Sequence, residues 1–187
     1  MMKRLFAAIK IQPDKNFLDQ LLQLKMQLKY EKIKWVEDRN IHVTLKFFGE
    51  TDERNIPEIE GVLKKVASDN LPFGFRLQSL GVFGSRYDPR VIWVGIDPYE
   101  KLVKLMKDLH TELKTIGYEP DRQNLVPHLT LGRIKELKDK QHFQLTIEKY
   151  REISTPEMIA MEFLLYESIL KREGPVYLVV KTFPFQK

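Results

Sequence analysis

The chain contains no cysteine. This excludes a disulfide framework, thiolate zinc and iron–sulfur centres, and a thiol nucleophile, because each requires a cysteine sulfur. Long apolar runs are also missing. No stretch approaches the roughly 18 residues that span a bilayer, and Met1-Met2-Lys3-Arg4 meets charge before a signal-peptide core forms. A cytoplasmic location without membrane contact is therefore expected. Neither terminus carries a tail of one charge sign: residues 1–94 hold 16 basic and 12 acidic side chains, and residues 95–187 hold 15 and 14. The net charge of +5 can attract a polyanion only through a surface that folding assembles.

What is present describes a folded chain. A hydrophobic content of 43% offsets the entropy lost on folding, and 187 residues suffice for one core or two small lobes sharing one. Residues 4–11 read as a buried strand ending before Pro13. Asn16 is placed to cap a helix whose Phe17, Leu21, Leu24 and Leu28 share one face. Residues 34–36 and 41–49 are extended, Pro57 opens a second helix, and strands follow at 73–83 and 91–96. The order then repeats. Pro98 leads a helix through Leu102, Leu105, Leu109, Leu113 and Ile116 to Gly117; residues 127–134 are extended; a helix spans 142–151; strands cover 158–166 and 176–182.

The repetition has a register. His42-Val43-Thr44-Leu45 recurs as His128-Leu129-Thr130-Leu131 at an offset of 86, and each motif stands 47 residues before a proline, Pro89 or Pro175, that opens an apolar strand. Landmarks in one register indicate a duplicated unit covering about 4–96 and 91–184. We therefore expect a single α+β domain over 1–187. Its two halves, each an antiparallel or mixed sheet flanked by helices, would face each other across a pseudo-twofold axis.

Strand alternation turns His42 and Thr44 to one face and Val43 and Leu45 to the other, and does the same for His128 and Thr130 against Leu129 and Leu131. If the halves face each other, two imidazoles and two hydroxyls converge on one cleft. An imidazole near its reference pKa of about 6.5 serves as acid or base, each role contributing about 10² to 10⁴ in rate. Such a pair suits displacement at phosphorus: one ring deprotonates water while the other protonates a departing sugar oxygen. The threonines would donate to the non-bridging oxygens, and a nearby arginine would hold the charge. A metal is not expected, because residues 41–49 and 127–134 supply no carboxylate to complete a ligand set. His110, on an amphipathic helix, and His142, after a charged stretch, read as structural or solvated.

These residues resemble the two-histidine (2H) phosphoesterase superfamily and, within it, the LigT-like RNA 2',3'-cyclic phosphodiesterases. Besides the paired motifs, the resemblance runs through Arg4-Leu5-Phe6-Ala7-Ala8-Ile9, Lys34-Trp35-Val36, Gly81-Val82-Phe83, Pro89 to Gly95, Gly132-Arg133, Tyr166-Glu167-Ser168, Gly174 and Tyr177. It implies a bilobal fold around a central cleft. It also implies cofactor-free hydrolysis of RNA 2',3'-cyclic phosphate ends to 2'-phosphomonoesters by a monomer, with tRNA fragments among the candidate partners and 2',5' ligation known in some members. By motif position His42 is the proton donor to the 3'-oxygen and His128 the base that activates water. Thr44, Thr130 and Arg133 become phosphate ligands, and Phe47 a surface for base stacking. Two alternatives keep the motifs: a cyclic phosphodiesterase acting on small nucleotides, and a non-catalytic module that binds RNA ends.

Strand parity sets a condition on two of these roles. Arg133 and Phe47 each follow their histidine by five residues, so on an ideal strand both point away from the cleft. Reaching it needs a bulge or a strand end, which Gly132 would ease. Before the second motif, Leu125-Val126 stands where relatives commonly show an aromatic, which tells against a base contact there.

Overall fold

The protein is described by a computed structural model over residues 1–120, 126–172 and 174–186. β1 (Met2–Lys10), α1 (Lys15–Gln27), β2 (Lys32–Trp35) and β3 (His42–Asp52) are followed by α2 (Ile56–Ser68) and the hairpin of β4 (Phe73–Gly84) and β5 (Pro89–Asp97). Then come α3 (Glu100–Lys114), β6 (His128–Glu136), α4 (Lys140–Lys149), β7 (Met158–Ala160), β8 (Glu162–Leu170) and β9 (Pro175–Pro184). Among the described residues no helix is long and apolar enough to cross a membrane.

Local chemistry accounts for the element boundaries. The Asp14 carboxylate, not Asn16, caps α1 by accepting from the Phe17 N–H, because the helix begins at Lys15 and leaves Asn16 inside its first turn. Asp139 caps α4 in the same way at His142 N, 2.9 Å, so that helix starts two residues earlier than its apolar pattern indicates. Gly117, at φ +87°, takes the left-handed conformation that ends the α3 segment, with Tyr118 N donating to Leu113 O.

The strands run in the order β7-β4-β5-β6-β3-β1-β8-β9, with β2 added against β6, and among the described residues every pairing is antiparallel. The α+β architecture of the sequence reading is present, with its sheets joined where β3 meets β6. One difference matters: the expected strand at 158–166 is two strands. Its first part, β7, lies against β4, and its second, β8, against β1, with the change of partner at Met161. The group β3-β1-β8-β9 therefore combines strands from both ends of the chain.

Burial divides the sheet into two faces. Leu5, Ala7, Ile9, Val43, Leu45, Leu129 and Leu131 join the main core with helix residues Phe17, Leu21, Leu24, Leu105 and Leu109. The alternate β1 residues Phe6 and Ala8 form a second cluster with Leu164, Tyr166 and the half-buried Tyr177. That second face carries the histidines.

Candidate active site

β3 and β6 touch through one registered pair among the described residues, Val43 opposite Leu129. Both side chains are buried in the main core. Their neighbours His42, Thr44, His128 and Thr130 therefore leave the opposite face together, and all four are half-buried. Continuing the antiparallel register sets His42 beside Thr130 and Thr44 beside His128. The two motifs thus form one four-cornered polar group.

The parity condition on Phe47 and Arg133 is met by a pair of matching bulges. Along β1, Ala8 faces Thr44, Ala7 faces Lys46 and Phe6 faces Phe47, so Leu45 is an extra residue in β3. Along β5, Trp93 faces Thr130, Ile92 faces Gly132 and Val91 faces Arg133, so Leu131 is extra in β6. Each bulge resets the alternation by one residue. As a result Phe47 shares the face of His42 and Thr44, and Arg133 that of His128 and Thr130. The β3 bulge forms at Leu45-Lys46 without glycine, so Gly132 is not needed for the distortion. What Gly132 permits is the approach of β2: a Cβ there would stand 2.9 Å from Ile33 Cγ2 and 3.0 Å from Trp35 Cε3.

Each imidazole is oriented by a carbonyl two residues upstream. His42 Nδ1 lies 2.6 Å from Asn40 O, and His128 Nδ1 lies 2.8 Å from Val126 O. A carbonyl only accepts, so Nδ1 carries the hydrogen in both rings. Each Nε2 then offers a lone pair when its ring is neutral and a proton when it is charged. Asn40 is buried and also donates through Nδ2 to Pro175 O, 2.9 Å, which ties the start of β3 to β9.

The two rings sit in unlike surroundings. His42 packs 5.1 Å from Phe6 and edge-on to Tyr177 at 5.3 Å; His128 packs edge-on to Phe83 at 4.8 Å, with Trp93 at 6.4 Å. Burial lowers the His42 pKa from its ordinary value, opposed in part by the Asn40 carbonyl. The Tyr177 phenol is pushed up by burial, while the charges of Arg133 and Arg4 act against that shift. Arg133 and Arg4 thus both place positive charge near Tyr177, and Arg4 is a cation that the motif reading did not single out. Its signal was the alternation Arg4, Phe6, Ala8 along β1. Phe47 is 55% exposed with its ring 5.8 Å from Phe6, which leaves an aromatic face open to a base.

His110 is buried in α3, and the exposed His142 reaches Gln27 O at 3.1 Å through Nε2; neither joins this group. Among the described residues no three His, Asp or Glu side chains converge as a metal site. Residues 122–125, part of the segment before the second motif, lie outside the described residues.

An RNA 2',3'-cyclic phosphodiesterase of Methanocaldococcus jannaschii is 35% identical over 178 residues, 95% of this chain and 98% of its own. The crystal structure of TT0787 of Thermus thermophilus superposes with a TM-score of 0.78 at 26% identity, covering 97% of both chains. Escherichia coli LigT complexed with 3'-AMP gives a TM-score of 0.71 at 21% identity, covering 100% of this chain and 99% of its own. The sequence model of the LigT-like phosphoesterases matches twice in tandem, at 11–93 and 94–177, and the chain belongs to that family.

Proposed function

We propose that the protein hydrolyses RNA 2',3'-cyclic phosphate ends to 2'-phosphomonoesters with its two imidazoles and no metal. The carrying observation is that both Nδ1 atoms are held by carbonyls, which leaves both Nε2 atoms for chemistry on one sheet face. In this reading His128 Nε2 takes a proton from water as the water oxygen bonds to phosphorus. The bond from phosphorus to the 3'-oxygen breaks, and His42 Nε2 supplies the proton that oxygen needs. The rings exchange protonation states, and solvent restores them. Thr44 and Thr130 donate to the non-bridging oxygens, and Arg133 neutralises the charge that builds there.

Residues 1–187 act in this proposal as one two-lobed domain with repeats over about 4–96 and 91–184, since each motif contributes half of the group. The name of the M. jannaschii relative supports the substrate class, and the 3'-AMP complex of E. coli LigT supports a nucleotide-sized occupant. The test is incubation, with chelator present, with an RNA ending in 2',3'-cyclic phosphate. A 2'-phosphate product is expected; a 3'-phosphate product or no turnover overturns the reading. Salt-sensitive RNA binding without turnover would identify a binding module instead.

A further inference from the structure

We propose that the small pocket beside His42 is a subsite for the phosphate on the 5' side of the terminal ribose, so that the site selects an RNA end over a cyclic mononucleoside. The inference rests on the function proposed above and deepens it.

The pocket has a volume of about 100 Å³, and its lining includes Lys10, Arg39, Asn40, His42, Tyr166 and Tyr177. Lys10 is the register partner of His42 at the end of β1. Directly opposed antiparallel residues have Cα atoms about 4.5–5.5 Å apart and send side chains to the same face, so the ammonium group rises next to the imidazole. Lys10 is exposed and has no ion pair or hydrogen bond among the described residues. Arg39 spends only Nε on Glu37, at 2.6 Å, which leaves both terminal amino groups for another acceptor. No carboxylate lines the pocket. Two cations, an amide and two phenols around so small a space match a phosphodiester anion.

Direction follows from the displacement. The attacking water and the departing 3'-oxygen stand on opposite sides of phosphorus, the water with His128 and the 3'-oxygen with His42. The ribose therefore lies on the His42 side, and the chain continuing through its 5'-oxygen leaves in the direction of Lys10 and Arg39. Phe47, with its open ring face, is on the same side. The other basic pocket, beside Arg133, contains Arg90, Lys135 and Lys140 but also Asp88 and Glu136, and it is lined largely from β5 and from β6, the strand of His128.

The experiment compares kcat/KM for adenosine 2',3'-cyclic phosphate and for its 5'-phosphorylated counterpart. The wild-type chain is expected to favour the 5'-phosphorylated substrate by about tenfold or more, the worth of a charge-assisted hydrogen bond. In a Lys10→Ala, Arg39→Gln variant that ratio is expected to fall about tenfold, whereas Lys135→Ala retains it. Because the ratio is internal to each preparation, a change in folded fraction does not move it. Wild-type turnover without preference, or an unchanged ratio in the double variant, overturns the subsite and leaves the proposed function standing. No wild-type turnover of either substrate, or of the RNA, overturns the function and the subsite with it.

Discussion

Gly81 offers a test of the active-site geometry from outside both motifs. It lies on β4 under the Trp93 ring, and a Cβ built on it would stand 2.3 Å from Trp93 Cζ2, 2.6 Å from Cε2 and 2.7 Å from Cη2. Ordinary contact begins near 3.4 Å, so Gly81→Ala must displace the rigid indole by about 1 Å. Trp93 stacks on Phe83 at 4.9 Å, and both rings pack against His128, so the displacement is passed to the imidazole assigned as base. Overpacking of this kind costs about 1–3 kcal/mol, which for a chain of this size lowers Tm by about 2–12 °C. A misplacement near 1 Å costs about 10² in rate. We therefore predict a folded variant with a lowered Tm and kcat/KM reduced by one to two orders of magnitude on a 2',3'-cyclic phosphate substrate. Wild-type kcat/KM in Gly81→Ala would refute the claim that the Phe83–Trp93 pair positions His128.

Other predictions concern the motifs directly. His42→Ala and His128→Ala should each remove nearly all turnover while keeping the circular dichroism of the parent; substantial activity in either variant ends the two-histidine mechanism. Thr44→Val and Thr130→Val should each weaken phosphate stabilisation by about 1–3 kcal/mol, and unchanged kinetics in both would make the hydroxyls structural only. Acidification should destabilise the fold through His42. Its native pKa lies below the ordinary 6.5, so the unfolded chain takes up the proton first, and stability present above 6.5 is lost as the pH falls through the native value. Urea midpoints measured down this range should fall more steeply for the wild type than for His42→Gln, and equal slopes would contradict the assignment.

Periodicity revealed the elements that a single strand or helix encodes by itself. The apolar stripe Phe17, Leu21, Leu24 on α1 and the alternation of His42 and Thr44 against Val43 and Leu45 follow from the geometry of one isolated element, and the structure contains both. The features that escaped depend on a second strand. The extra residues Leu45 and Leu131 exist only relative to β1 and β5, so parity counted along one strand sends Arg133 and Phe47 to the wrong face. The break at Met161 is equally silent, because both flanking segments are extended and differ only in which strand they meet.

By itself the sequence determined the fold class, the duplicated His-x-Thr pattern and the two faces of each motif strand, since these need only local alternation and a repeat in register. Tertiary structure decided the rest. It brought the motifs together through Val43 and Leu129, reset the parity of Phe47 and Arg133, turned both Nδ1 atoms onto carbonyls, and packed His42 against an aromatic corner with Arg4 and Lys10 on its face of the sheet. The physical reason is that register, bulging and burial are properties of pairs of chain segments, and their free energy appears only when both members are in place.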